Sequence, residues 1–389
     1  MNRKYCNTII GPAAEGARYY SRPLVEKQIL KNLRKGAFVH FTAPRRIGKT
    51  SILKELANQE YEDLICIYED IESDKNSNEF YKRLISLIET AVNRAESLGK
   101  KFWEFIQSKK ITGISLEGVD VEHSEINHKG VFLALVDAIQ EKEIKIVLFL
   151  DEFPDVINNI INNEGAEIAL DVLHSLRSIR QSKKFNTSFG LVLSGSIGLT
   201  HVVRSIGRPK LINDLAIVKL EPLANQELNG FIDFLTEDAT LIIPNESRAY
   251  IQEKLNQLIP YYVQLIVEAG DQLTDDQDRV EMTIDDIDVI YSQLTMDTDK
   301  FIDWVDRIKD YYKTTYPFMK DVLTHTAHKK EISIQEILNI ATGHEVVEYE
   351  DLITQVLIKD GYLYKLKSGL YAFASPLLRD WWAYHYDLK

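Results

Sequence analysis

The residues of this chain best suited to phosphate chemistry are Gly48, Lys49 and Thr50, placed where an apolar run gives way to a helical pattern. The run Ala37-Phe-Val-His-Phe-Thr-Ala43 is rich in β-branched and aromatic residues and suits a buried strand. It passes into Pro44, Arg45, Arg46, Ile47, Gly48, Lys49 and Thr50, and a helix is expected from Ser51 to Ala57. Strand, loop and helix in that order are the setting of the phosphate-binding pattern G-x-x-x-x-G-K-[ST]. Ala43 stands in place of the first glycine, which requires that position to avoid a strongly positive φ. Backbone N–H groups from Arg45 to Lys49 would wrap the β- and γ-phosphates at the positive end of the following helix. Lys49 would reach the same oxygens as a mobile point charge, Gly48 would let the backbone approach closely, and Thr50 would ligate Mg²⁺. The expected nucleotide-binding stretch is therefore Ala43 to Ser51, with ATP and Mg²⁺ as its ligands.

A second apolar run, Lys145-Ile-Val-Leu-Phe-Leu150, ends abruptly in Asp151 and Glu152. Two adjacent acids at the end of a buried strand suit a metal-assisted hydrolysis. Asp151 would hold the magnesium, and Glu152 would orient and polarise the attacking water as the catalytic base. A third run, Phe189-Gly-Leu-Val-Leu193, finishes in Ser194-Gly195-Ser196, where Ser194 or Ser196 could sense a γ-phosphate. Ala216 to Leu220 supplies a further strand.

These motifs resemble the archaeal-type ATPases, which belong to the STAND group of P-loop NTPases related to AAA+ proteins. The resemblance is carried by Ile9 to Gly16, Tyr20 to Pro23, Thr42 to Ser51, Leu148 to Phe153, Leu193 to Gly198, Leu220 to Leu223 and Ile259 to Gln264. It implies an α/β fold: a parallel P-loop sheet of the additional-strand type, followed by a helical lid and a C-terminal winged helix. It also implies that Ile10 and Arg22 lie near the adenine and that Pro260 touches the nucleotide from the lid. The glycine expected two residues before Pro260 is replaced by Leu258, and a helix-starting role for this proline is the alternative. Arg204 and Arg208 follow the third strand, where relatives supply an arginine to a neighbour's γ-phosphate.

The elements that must position these residues divide the chain into three. Residues 1–223 form the expected ATPase core with an insertion at about 72–127, residues 224–300 the lid, and residues 301–389 the winged helix. Within the insertion, Leu84 to Ala95 has helical spacing and Ile114 to Val121 alternates like a hairpin. The acidic stretch Asp271 to Asp286 reads as a loop or junction. Helices are expected near Tyr311–Thr326, Ile332–Ala341 and Tyr349–Lys359, then two wing strands flanking Lys367-Ser-Gly369, and a packed aromatic helix around Trp381 and Trp382.

With 389 residues, 45% of them hydrophobic, the chain can bury a sizeable core. Its net charge of −13 opposes broad non-specific binding to nucleic acid. Glu345, Glu348, Glu350 and Asp351 sit at and before the start of the candidate reading helix, where approach to phosphates favours neutral or basic residues. Two cysteines make no disulfide framework, the first seven residues lack a signal-peptide core, and no apolar run reaches the roughly 18–20 residues of a bilayer span. A cytoplasmic ATPase switch is the expectation, its nucleotide state controlling a protein partner or homo-oligomer in signalling or defence. A DNA-associated loader or remodeller working through the winged helix is the second reading.

Overall fold

The computed structural model describes residues 3–94, 127–139, 145–183, 185–195 and 198–388. The chain forms two compact units, one of Ser21–Thr42 and Lys49–Leu220, the other of Met1–Tyr20, Ala43–Gly48 and Glu221–Lys389.

The first unit is built on a five-stranded sheet: β1 (Val39–Thr42), β2 (Leu64–Asp70), β3 (Lys145–Asp151), β4 (Phe189–Ser194) and β5 (Ala216–Lys219). Their order is β2-β3-β4-β1-β5, and every pair is parallel. The strand that leads into Ala43–Gly48 and the strand that ends in Asp151 are therefore separated by β4, the additional-strand arrangement expected from the sequence. Every residue of β3 and β4 is buried, as their unbroken apolar runs require of strands covered on both faces. At the sheet edge, β5 exposes Ile217 and buries only Val218.

Among the described residues, seven α-helices of this unit follow in chain order: α1 (Pro23–Arg34), α2 (Lys49–Asn58), α3 (Ser77–Arg94), α4 (His128–Ala138), α5 (Phe153–Glu164), α6 (Ala166–Gln181) and α7 (Leu199–Ser205). The helical spacing in the insertion is realised as α3, which buries Phe80, Leu84, Ile88 and Ala91 on one face. The expected hairpin at 114–121 lies outside the described residues. Phe132 meets Phe189 with ring centroids 6.2 Å apart, and Phe80 meets Phe153 at 5.9 Å, so helices and strands share one apolar core. Lys145, at the opposite end of β3 from the acids, is buried. Its Nζ donates to the carbonyls of Leu33 (2.8 Å) and Asn186 (2.5 Å), and burial pushes its pKa down to about 8.

The second unit contains α8 (Asn225–Leu235), α9 (Asn245–Leu255), α10 (Pro260–Asp276), α11 (Ile284–Met296), α12 (Ile302–Tyr311), α13 (Tyr316–Lys329), α14 (Ile334–Gly343) and α15 (Pro376–His385). Three short strands, β6 (Glu331–Ile332), β7 (Leu363–Lys365) and β8 (Tyr371–Phe373), make an antiparallel sheet in the order β6-β8-β7. The expected helical region and the small C-terminal antiparallel sheet are thus both present, with the turn between β7 and β8 closing at Gly369 in the left-handed region. Trp304, Trp381, Trp382 and Tyr262 are fully buried in one cluster. The two indole N–H groups of the last helix are satisfied, Trp381 by the Asp297 carbonyl and Trp382 by the Thr324 hydroxyl.

Three sequence expectations need correction here. The acidic stretch is mostly helical: α10 continues to Asp276, and α11 begins at Ile284 with Thr283 and Asp286 capping each other. Asp271 is buried within it because Arg3 donates to its carboxylate at 2.6 Å. The helix expected from Tyr311 begins instead at Tyr316, because α12 ends at Tyr311 and a new start is made with Pro317 in the first turn. The segment expected as one helix from Tyr349 is a single α turn, Tyr349–Asp351, running into a π-helical stretch, Leu352–Leu357. Among the described residues, no helix is long and apolar enough to cross a membrane.

Candidate functional site

In the first unit, parallel pairing brings the ends of β3 and β4 to one edge of the sheet, where crevices of open α/β folds receive ligands. Asp151 is the last residue of β3 and is almost wholly buried. The Thr50 hydroxyl donates to Asp151 Oδ2 at 2.7 Å, and the Tyr68 hydroxyl to the same oxygen at 3.4 Å. Burial raises the pKa of Asp151, and the neighbouring Glu152 charge adds to this. The Thr50 hydroxyl, the Lys49 charge and the Ser194 hydroxyl pull it back down. Lys49 and Ser194, predicted respectively as phosphate ligand and sensor, are thus both electrostatic neighbours of the predicted metal ligand. Each is buried, Lys49 at the first residue of α2 and Ser194 at the end of β4. Ser51 is buried in the first turn of the same helix, and Ser196 lies outside the described residues.

Glu152 turns the chain from β3 into α5. It adopts φ 56°, ψ 31°, a left-handed conformation uncommon for a non-glycine residue, and Pro154 follows in the first helical turn. Its N–H donates to Asp151 Oδ1 at 3.2 Å. Gly195 explains how this corner fits beside β4. A Cβ there would collide with the Pro154 ring and stand 3.3 Å from Glu152 Oε2. From the sequence, Gly195 reads only as the middle of Ser194-Gly195-Ser196, and nothing marks Tyr68. Neither has a local signal of its role, since one acts by lacking a side chain and the other across a strand pair.

The other unit holds the loop residues Ala43–Gly48. Gly48 has φ 101° and Arg46 has φ 61°, whereas Ala43 keeps a negative φ, which meets the condition set by its Cβ. Ile47 is buried. Arg45 and Arg46 converge on Asp303 in α12. Arg46 Nη2 lies 2.5 Å and Arg45 Nη2 3.4 Å from the same carboxylate oxygen, and Arg45 Nη1 also donates to the Asp303 carbonyl at 3.1 Å. The Arg45 guanidinium lies 5.6 Å from the Trp304 ring centroid, and that of Arg46 lies 4.7 Å from Tyr261. Pro44 packs against Gly361, where a Cβ would stand 2.8 Å from the Cβ of Pro44.

Pro260 is the first residue of α10, directly before Tyr261, so it does start a helix. Ile10 packs on the core of this unit, following Ile9, whose N–H donates to Gln264 in α10 at 2.8 Å. Arg22 directly precedes α1 in the first unit. Arg204 and Arg208 are both exposed, one within α7 and one just beyond it.

The Thr50 hydroxyl and the Asp151 carboxylate suit a magnesium ion. Mg²⁺ commonly takes only one or two protein oxygens and completes its octahedron with water and phosphate. A cation there would also offset the desolvation that raises the Asp151 pKa.

No protein-family model matches the sequence, and no curated protein matches it. Solved structures do match in fold. A Walker-type ATPase of Pyrococcus abyssi aligns with a TM-score of 0.65 at 15% identity, over 96% of this chain and 99% of that one. The ORC2 protein of Aeropyrum pernix, in its ADPNP–ADP complexes, aligns with a TM-score of 0.51 at 13% identity, over 97% of this chain and 94% of that one. The chain therefore shares the fold of these structures along nearly its whole length.

Proposed function

We propose that this chain is a magnesium-dependent ATPase in which the stretch from Ala43 to Ser51 binds the phosphates of ATP. The observation that carries the reading is the Thr50 hydroxyl donating at 2.7 Å to buried Asp151, with Lys49 beside it and Glu152 next in sequence. Four residue types that one hydrolytic reaction needs are gathered at the end of a parallel sheet, and the AAA+-like fold of the chain agrees with their use. Thr50 and Asp151 would hold Mg²⁺, which neutralises charge on the phosphate oxygens. Lys49 and the loop amides would hold the β- and γ-phosphates, and Gly48 would leave room for them. Glu152 would accept a proton from the attacking water, its carboxylate positioned by the corner against Gly195. Ser194 would report on the γ-phosphate. Ile10 and Arg22 are proposed to lie near the adenine, Pro260 to touch the nucleotide, and Arg204 or Arg208 to reach the site of a neighbouring copy.

We further propose that ATP and ADP are the two inputs of a switch of STAND type, controlling assembly or a protein partner. The surface of the winged helix supports this over a DNA-loading role. Glu345, Glu348, Glu350 and Asp351 are all exposed, with Lys365 and Lys367 on the wing as partial compensation. Fluorescence anisotropy of a labelled duplex at low salt separates the two. The switch predicts no saturable binding with ADP or with a slowly hydrolysed ATP analogue. Salt-dependent binding that appears only with the ATP analogue would establish the loader instead.

A further inference from the structure

Asp303 places a carboxylate where a phosphate would otherwise be the natural partner of Arg45 and Arg46. Both arginines belong to the loop, and both place a guanidinium nitrogen within ion-pair distance of the same Asp303 oxygen, Arg46 with a hydrogen bond at 2.5 Å and Arg45 at 3.4 Å. Arginine forks match phosphate geometry as well as they match carboxylate, and a triphosphate carries more charge than one aspartate. The arginines are also held by rings: Trp304 and Tyr261 each lie within cation–π distance of one guanidinium. Burial works against the Arg46 charge, but the Asp303 contact and its charge more than offset this, so that its pKa is raised. The same helix is tied onward to the wing sheet. The Tyr362 hydroxyl donates to the Trp304 carbonyl at 2.8 Å, the two rings meet edge to face at 4.8 Å, and Tyr362 directly precedes β7.

We infer that Asp303 is an internal competitor for the phosphates, a latch that holds the loop through Arg45 and Arg46 and is released when a triphosphate takes the two arginines. Release would free α12 from the loop and, through Trp304 and Tyr362, pass the nucleotide state to the winged helix. The inference rests on the loop receiving ATP, and it names the residues by which that binding is regulated. The coupling is reciprocal, because whatever holds Asp303 on the arginines must weaken ATP binding by the same factor.

Asp303→Asn tests it, since the amide keeps the shape and the backbone carbonyl while removing the charge. Hydrogen exchange of the nucleotide-free protein should rise several-fold over residues 43–48 and 302–311 in the variant. The wild type should show the same rise on adding a slowly hydrolysed ATP analogue. Calorimetry with that analogue should give about tenfold tighter binding for Asp303→Asn than for the wild type. Unchanged exchange in the nucleotide-free variant overturns the latch, and so does unchanged or weaker analogue binding. If the wild type binds no nucleotide, the ATPase reading fails, while the nucleotide-free exchange comparison still decides whether the latch exists. Should Asp303→Asn not fold, Arg46→Gln breaks the shortest contact from the other side and is read by the same exchange measurement.

Discussion

Replacing Lys49 by alanine is expected to weaken binding of Mg·ATP by about 10- to 100-fold, the scale of one lost charge-assisted interaction. Lys49 is buried at the first residue of α2, the helix end whose amides would meet a phosphate. Its charge also lowers the pKa of Asp151, so its removal leaves that buried carboxylate less supported. Isothermal calorimetry with Mg·ADP and Mg·ATP, alongside a thermal melt to confirm folding, measures the effect. Affinity equal to that of the wild type would remove Lys49 from the phosphate site.

Glu152→Gln is expected to separate binding from chemistry. The glutamine preserves size and leaves the turn into α5 in place, so affinity for Mg·ATP should stay within about threefold. It cannot accept the proton of the attacking water, and general-base loss of this kind costs about 100- to 10,000-fold in turnover. Single-turnover phosphate release at saturating ATP reads the second quantity directly. Wild-type turnover in the variant would show that Glu152 only shapes the corner, a role its left-handed backbone and its closeness to Gly195 would still explain.

The strands, and the turn and acid pair that follow two of them, were legible because each depends on local pattern. An unbroken apolar run ending in Asp151-Glu152 can hardly be other than a buried strand with its acids at the end. Strand order was legible only through the resemblance, because parallel pairing joins segments far apart in sequence and leaves no local mark. One misreading came where a charged residue found a distant partner. Asp271 looked like part of an acidic loop, yet Arg3 and the Cys6 N–H satisfy its carboxylate, so the helix runs on past it. Asp303 carried no signal at all, since it is one of three aspartates on an amphipathic helix, where acids are normally solvated, and its partner Arg46 lies 257 residues earlier. Arg46 itself sits at positive φ in a loop whose pattern reserves glycine for other positions. Long-range charge pairing was the part that sequence pattern could not reach.

The most direct test of the central claim is the rate of phosphate release from ATP by the wild-type chain, measured with magnesium and again with the metal chelated, beside Asp151→Asn. Magnesium-dependent multiple turnover that is lost on chelation and in Asp151→Asn is the predicted result. Phosphate release that is undetectable with nucleotide bound, or equally fast in Asp151→Asn, would contradict it.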